Sequence, residues 1–92
     1  MNHQSLANIS PNFQPWNDTI LSKREQEVLQ LVAMGYTNAQ IGFQLAISPN
    51  TVKIHLRHIF EKLSVESRTQ AALLAVVEGW VNILEVVQLK CL

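Results

Sequence analysis

Ala46 and Ile47 are all that separates two stretches that each announce a helix, and this short interval constrains the fold more than any other feature of the chain. Upstream, Thr37-Asn-Ala-Gln40 is a capping box. The Thr hydroxyl takes the third amide of the helix and the Gln side chain returns to the cap's own N–H. The short helix it opens turns Ile41 and Leu45 inward, with Ala39 and Gly42 small enough for a neighbour to approach closely, and it stops near Leu45 or Ala46. Downstream, Ser48-Pro49 opens a longer helix: a hydroxyl accepts an orphan amide, then a ring supplies a preset φ and no N–H. Two residues permit only a tight corner, so the helices must cross steeply as a helix-turn-helix unit.

In the longer helix Val52, Leu56, Ile59, Phe60 and Leu63 fall at i, i+4, i+7, i+8 and i+11, one apolar stripe facing a core. Asn50, Lys53, Ile54, Arg57 and Glu61 lie opposite, with His55 and Lys62 along a flank. A polar, mostly cationic face carrying one aliphatic residue suits a groove of DNA. Lys53 and Arg57 are four apart and point the same way, where each donor set on guanine O6 and N7 contributes about 1–3 kcal/mol of discrimination. Ile54 suits a thymine methyl. Taken singly, each of these residues reads as ordinary surface; the tight turn makes them one interface. Ser48, Asn50 and Thr51 occupy the first turn, where hydroxyls, amide and backbone N–H groups hold a phosphate at the positive helix end, although Ser48 also reads simply as a cap.

Ser22-Lys-Arg-Glu25 is a second capping box, starting a helix that turns Val28, Leu29, Val32 and Leu31 inward and ends at Met34 before Gly35. Ser67-Arg-Thr-Gln70, after the link Ser64 to Glu66, is a third. The helix that follows, to about Glu78, is apolar on every side from Ala71 to Val77, so one face packs on the domain. The other, with Leu73, Leu74, Val77 and Trp80, is assigned to a homodimer contact. The expected fold is all-α, with helices at about 23–34, 38–45, 49–63 and 68–78. Residues 1–20, with Pro11 and Pro15 and no periodicity, read as a loosely ordered arm whose Phe13, Trp16 and Ile20 pin its end to the domain at 21–78. Residues 79–92 form an apolar C-terminal extension that fits helix and strand equally poorly; as a helix, Val81, Leu84 and Val87 continue the dimer seam.

Ninety-two residues make one small domain. Seven Lys and Arg against seven Asp and Glu leave no net charge, so composition alone argues for no nucleic acid. Distribution does: Lys53, Arg57, Lys62 and Arg68 stand against Glu61 and Glu66 between Ser48 and Arg68. A chain 48% hydrophobic and 15% charged implies apolar surface covered by a second subunit. With no secretion signal at the N-terminus, the expected compartment is the cytoplasm. Glu78, Gly79, Asn82 and Glu85 interrupt the apolar run from Ala71 to Leu89, and a charge at the bilayer centre costs about 2.5–3.5 kcal/mol, which argues against a membrane span. Paired carboxylates, nucleophile-base spacings and Gly-rich nucleotide turns are missing, so neither an enzyme, a cofactor nor a small-molecule substrate is expected. His55 and His58 lack a third ligand for a metal. The single cysteine, Cys91, offers a redox-dependent link between two subunits; an inert thiol in a frayed tail is the plainer reading.

The text LSKREQEVLQLVAMGYTNAQIG, LAISPNTVKIHLRHIFEKL and SVESRTQAALLAV, about Leu21 to Val77, resembles the LuxR/NarL/GerE-type DNA-binding domain. The resemblance implies a four-helix fold, a third helix in the major groove and dimerisation through the fourth. It assigns base reading to Lys53, Ile54 and Arg57, and phosphate contacts to Ser48, Asn50, Thr51, His55, Lys62 and Arg68. Two departures stand out: the family usually carries Ala at the position of Gly42, and 20 leading residues are too short for a receiver or ligand-binding domain, as in the stand-alone members. The expected function is a homodimeric, sequence-specific transcription regulator reading double-stranded DNA at half-sites about one duplex turn apart. The rival is a protein-interaction module whose helix docks on RNA polymerase or another regulator. Operator, input signal and the choice between activation and repression are not written in these residues.

Overall fold

The computed structural model describes residues 19–82. These form four helices, α1 (Lys23–Ala33), α2 (Asn38–Leu45), α3 (Pro49–Leu63) and α4 (Arg68–Val77), and among the described residues there is no strand. Every helix starts where a cap residue stands in the sequence. Ser22 and Glu25 close both arms of their capping box, as do Thr37 and Gln40, and the Ser48 hydroxyl accepts the Thr51 N–H at 3.0 Å with Pro49 in the first turn. At α4 only half of the expected box forms. Ser67 accepts the Gln70 N–H, but the Gln70 side-chain Oε1 accepts the Glu66 N–H at 2.7 Å instead of that of Ser67. Ser67 is more extended (φ −147°) than Ser22 (φ −68°) or Thr37 (φ −79°), which turns its own N–H away from the returning side chain.

The helix ends share one device. Residues Gly35, Ala46, Ser64 and Gly79 sit at φ of 91°, 59°, 57° and 79°. At each, the following N–H reaches back five residues: Tyr36 to Leu31 O, Ile47 to Gly42 O, Val65 to Phe60 O and Trp80 to Ala75 O. This is the left-handed stop that satisfies the last carbonyls of a helix. Glycine adopts it freely, whereas a residue with a Cβ loses about 1–2 kcal/mol there. The two non-glycine stops, Ala46 and Ser64, bracket α3.

Leu21, Val28, Leu29, Val32, Ile41, Val52, Leu56, Ile59, Ala71, Ala75 and Val81 form the core. α4 lies chiefly on α1, and α2 on α3, while α1 also supports α3; α2 and α4 scarcely meet. Leu21, not Ile20, enters this core; Ile20 is 65% exposed, so it does not anchor the arm as expected. Val81 is buried and Trp80 half-buried against the same core, so the chain after Gly79 folds back on the domain instead of carrying Trp80 onto the outer face of α4. A Cβ at Gly42 would stand 2.5 Å from the Ile47 carbonyl oxygen, so the glycine lets the corner between α2 and α3 close over it. No helix among the described residues is long and apolar enough to cross a membrane. Phe13, Trp16, Leu84, Val87 and Cys91, named in the arm and the extension, lie outside the described residues.

Candidate nucleic-acid interface

Burial of Val52, Leu56 and Ile59 fixes the rotation of α3 about its axis. The same rotation leaves Asn50, Lys53, Ile54, Arg57 and Glu61 exposed, as the helical period requires. Ile54 keeps 40% of its surface in solvent between the two cations. Among the described residues the ion pairs are Arg24 with Glu27 and Lys62 with Glu25, so Lys53 and Arg57 face outward without an acidic partner. An open groove of about 500 Å³ runs beside them, lined by Asn50, Lys53, Ile54, Leu56, Arg57, Phe60 and Arg68.

The first turn of α3 supplies the polar end of this face. Ser48 and Thr51 hydroxyls lie 2.9 Å apart, and the Ser48 oxygen also accepts the Thr51 N–H as the helix cap. Asn50 is exposed and Thr51 half-buried. His55 is half-buried on the flank and His58 exposed; among the described residues no group of three or more metal-binding side chains is gathered.

Two residues named for phosphate contact hold partners within the domain. The Lys62 ammonium donates to Glu25 Oε1 at 2.8 Å, joining the end of α3 to the first turn of α1. Glu25 is the one buried charged residue among those described, and its carboxylate also accepts the Ser22 N–H at 2.9 Å. Burial pushes its carboxyl up, but the Lys62 hydrogen bond, the Ser22 N–H, the Lys62 charge and the Ser22 hydroxyl outweigh that and hold it below the usual glutamate range. Arg68 donates to the Tyr36 carbonyl and to Asn38 Oδ1, both at 2.7 Å, and burial lowers its guanidinium below the usual arginine value. Neither tie was legible in sequence, because the partners lie 37, 32 and 30 positions apart.

On α4, Leu73 (59% exposed) and Val77 (78%) lie one turn apart on the open face, Leu74 is half-buried, and a shallow groove of about 330 Å³ is lined by Leu73 but not by the other two. Sequence reasoning passed over Phe43, which is 87% exposed on α2 beside Tyr36, Ala39, Gln40 and Gln44. Its signal was available: it falls between Ile41 and Leu45, out of phase with the inward positions.

The chain matches the family model described as bacterial regulatory proteins, luxR family, over residues 19–75. It is 48% identical over 64 residues to the transcriptional regulatory protein DegU of Brevibacillus brevis, covering 70% of this chain and 27% of that one. It is 53% identical over 55 residues to LiaR of Bacillus subtilis (strain 168), covering 60% and 26%. The oxygen regulatory protein NreC of Staphylococcus aureus (strain MRSA252) is 43% identical over 68 residues, covering 74% and 29%. The chain spans less than a third of the length of each of these curated relatives.

Proposed function

Because this chain belongs to the luxR family of bacterial regulatory proteins, a family of DNA-binding transcription regulators, we propose that it binds a specific operator in the cytoplasm as a homodimer, α3 entering the major groove. Lys53 and Arg57 donate to base edges and Ile54 meets a thymine methyl. Ser48, Asn50, Thr51 and His55 hold the phosphates at the groove's edge. The observation that carries this reading is the pair of exposed cations without an acidic partner, four residues apart on a helix whose other side is locked into the core.

Selection of duplexes from a random pool by the purified protein tests it. Enrichment of a common sequence is expected, and Lys53→Ala or Arg57→Ala should each relax the preference at one position by about 1–3 kcal/mol. A protein that enriches no sequence at low salt refutes the reading. A helix docking mainly on RNA polymerase or another regulator would give that same failure together with capture of the partner.

The dimer is assigned to Leu73, Leu74 and Val77 of α4, two copies giving recognition helices about one duplex turn apart. Oxidation linking two Cys91 thiols is the redox-tuned form of that dimer. Non-reducing electrophoresis of wild type and Cys91→Ser with oxidant tests it, and the lack of an oxidant-dependent dimer band ends it.

A further inference from the structure

Arg68 is the first residue of α4, where a cation opposes the helix dipole. It is also half-buried, which disfavours its charge. Two unfavourable placements in one side chain call for a compensating role. The compensation is a pair of charge-assisted hydrogen bonds, to the Tyr36 carbonyl and to Asn38 Oδ1, each 2.7 Å.

These two acceptors belong to the entry into α2: Tyr36 lies in the link before it and Asn38 is its first residue. α2 packs on α3 and only lightly on α1, and it has almost no packing against α4. The guanidinium is thus a strut between two helices whose backbones come close at few points. What it steadies is the support of the recognition helix, because α3 leaves α2 through a corner of three residues, 46–48, and has no slack of its own. Arg68 also lines both open grooves that matter here, the one along Lys53, Ile54 and Arg57 and the one beside Leu73 on α4.

We propose that Arg68 is a positioning residue for base reading: its fork on Tyr36 and Asn38 sets the angle of the α2–α3 pair against α4, and so the angle of each recognition helix against its partner's. A bidentate contact to a base edge tolerates only small errors of placement, so loss of the strut degrades discrimination more than it degrades attraction to phosphates. The inference rests on the DNA reading above and replaces a direct phosphate contact by Arg68 with an indirect role.

Three variants of the full chain separate the possibilities: Arg68→Ala, Arg68→Lys and Asn38→Ala. The probes are a duplex enriched by the wild-type protein from a random pool and a scrambled duplex of the same length and composition. Each variant is titrated against both over a range of salt, below its own melting temperature. The expected result is a ratio of scrambled to selected Kd that falls about three- to tenfold in Arg68→Ala and by a smaller factor in Asn38→Ala, which keeps the bond to the Tyr36 carbonyl. The double variant should be no worse than Arg68→Ala, Arg68→Lys should recover only part of the ratio, and the salt slope should hold in all of them. Asn38→Ala is decisive, because it removes one of the strut's two bonds while leaving the Arg68 charge in place to meet a phosphate. If Asn38→Ala keeps the wild-type ratio, or if Arg68→Ala lowers the salt slope by about one with the ratio intact, the proposal is overturned. A lowered melting temperature with ratio and slope both unchanged overturns it too, leaving Arg68 a stabilising residue only. If the wild-type protein enriches no duplex, the DNA reading falls and this inference with it, an outcome distinct from failure of the variants alone.

Discussion

Replacing Lys62 by methionine should destabilise the domain while leaving its hold on DNA phosphates unchanged. Methionine keeps most of the stem that lies along the domain and removes the ammonium that donates to Glu25 at 2.8 Å. Glu25, whose side chain is 7% exposed, then retains the Ser22 N–H at 2.9 Å but loses its only counter-charge. A hydrogen bond to a charged group contributes about 1.5–3 kcal/mol. Because the Lys62 side chain is 39% exposed, solvent screens the pair and the expected loss is nearer 1–2 kcal/mol. For a domain of this size that lowers Tm by about 5–15 °C. The pH dependence carries the sign. Glu25 is held below the usual carboxylate range when folded, so between its unfolded and folded values the unfolded chain binds more protons and stability rises with pH. The contribution is complete above about pH 5 and disappears as pH falls through the folded value, so wild type and Lys62→Met should converge in acid. Thermal melts from pH 3 to 7 measure this directly, and salt titration with duplex DNA measures the other half. An unchanged melt with a salt slope reduced by about one would make Lys62 a phosphate ligand and refute the structural role.

Other outcomes follow from the same structure. Leu73→Asp or Val77→Asp, which puts a charge on the open face of α4, should convert a dimer to monomers by light scattering with little loss of monomer stability; a wild-type monomer at micromolar concentration would end the dimer assignment. Ala46→Gly and Ser64→Gly, at φ of 59° and 57°, should each stabilise the domain by about 0.5–1 kcal/mol, against the usual direction of an exposed change to glycine. Gly42→Ala should destabilise despite alanine's helix propensity of about 1 kcal/mol, because its methyl meets the Ile47 carbonyl at 2.5 Å; a stabilised variant would show that the corner yields at little cost.

The helix boundaries were legible because they are local. A Ser or Thr cap, a Glu or Gln three residues on and a Pro at the first position act within four residues of one another, and α1 to α4 begin where those signals stand. The rotation of α3 was legible for the same reason, its buried Val52, Leu56 and Ile59 following the helical period. What escaped depends on distance along the chain. Lys62 and Arg68 looked like free cations beside Lys53 and Arg57, and only the packing of α1 and α2 against the later helices supplies their acceptors. The stops of α2 and α3 fall where the sequence puts them, near Leu45 and at Leu63; what escaped was the left-handed conformation of Ala46 and Ser64, for which glycine is the usual signal. Trp80 was assigned to the dimer face beyond the end of α4, whereas the chain after Gly79 returns it, half-buried, to the core.

The division of cations between internal ties and the outer face of α3 also bears on how such a protein finds its operator. The chain has no net charge, and fields beyond about 8–10 Å are screened at physiological ionic strength, so approach to a duplex is not driven from afar. At close range the face carrying Lys53 and Arg57 is attracted to the duplex, which favours its orientation toward the DNA. A random duplex offers that face phosphates and no matching base edges, so each non-target visit is held by few charges and is brief. On the proposed reading, such a protein would leave wrong sites quickly, and its dwell time at an operator would be set by the fit of α3 rather than by bulk attraction.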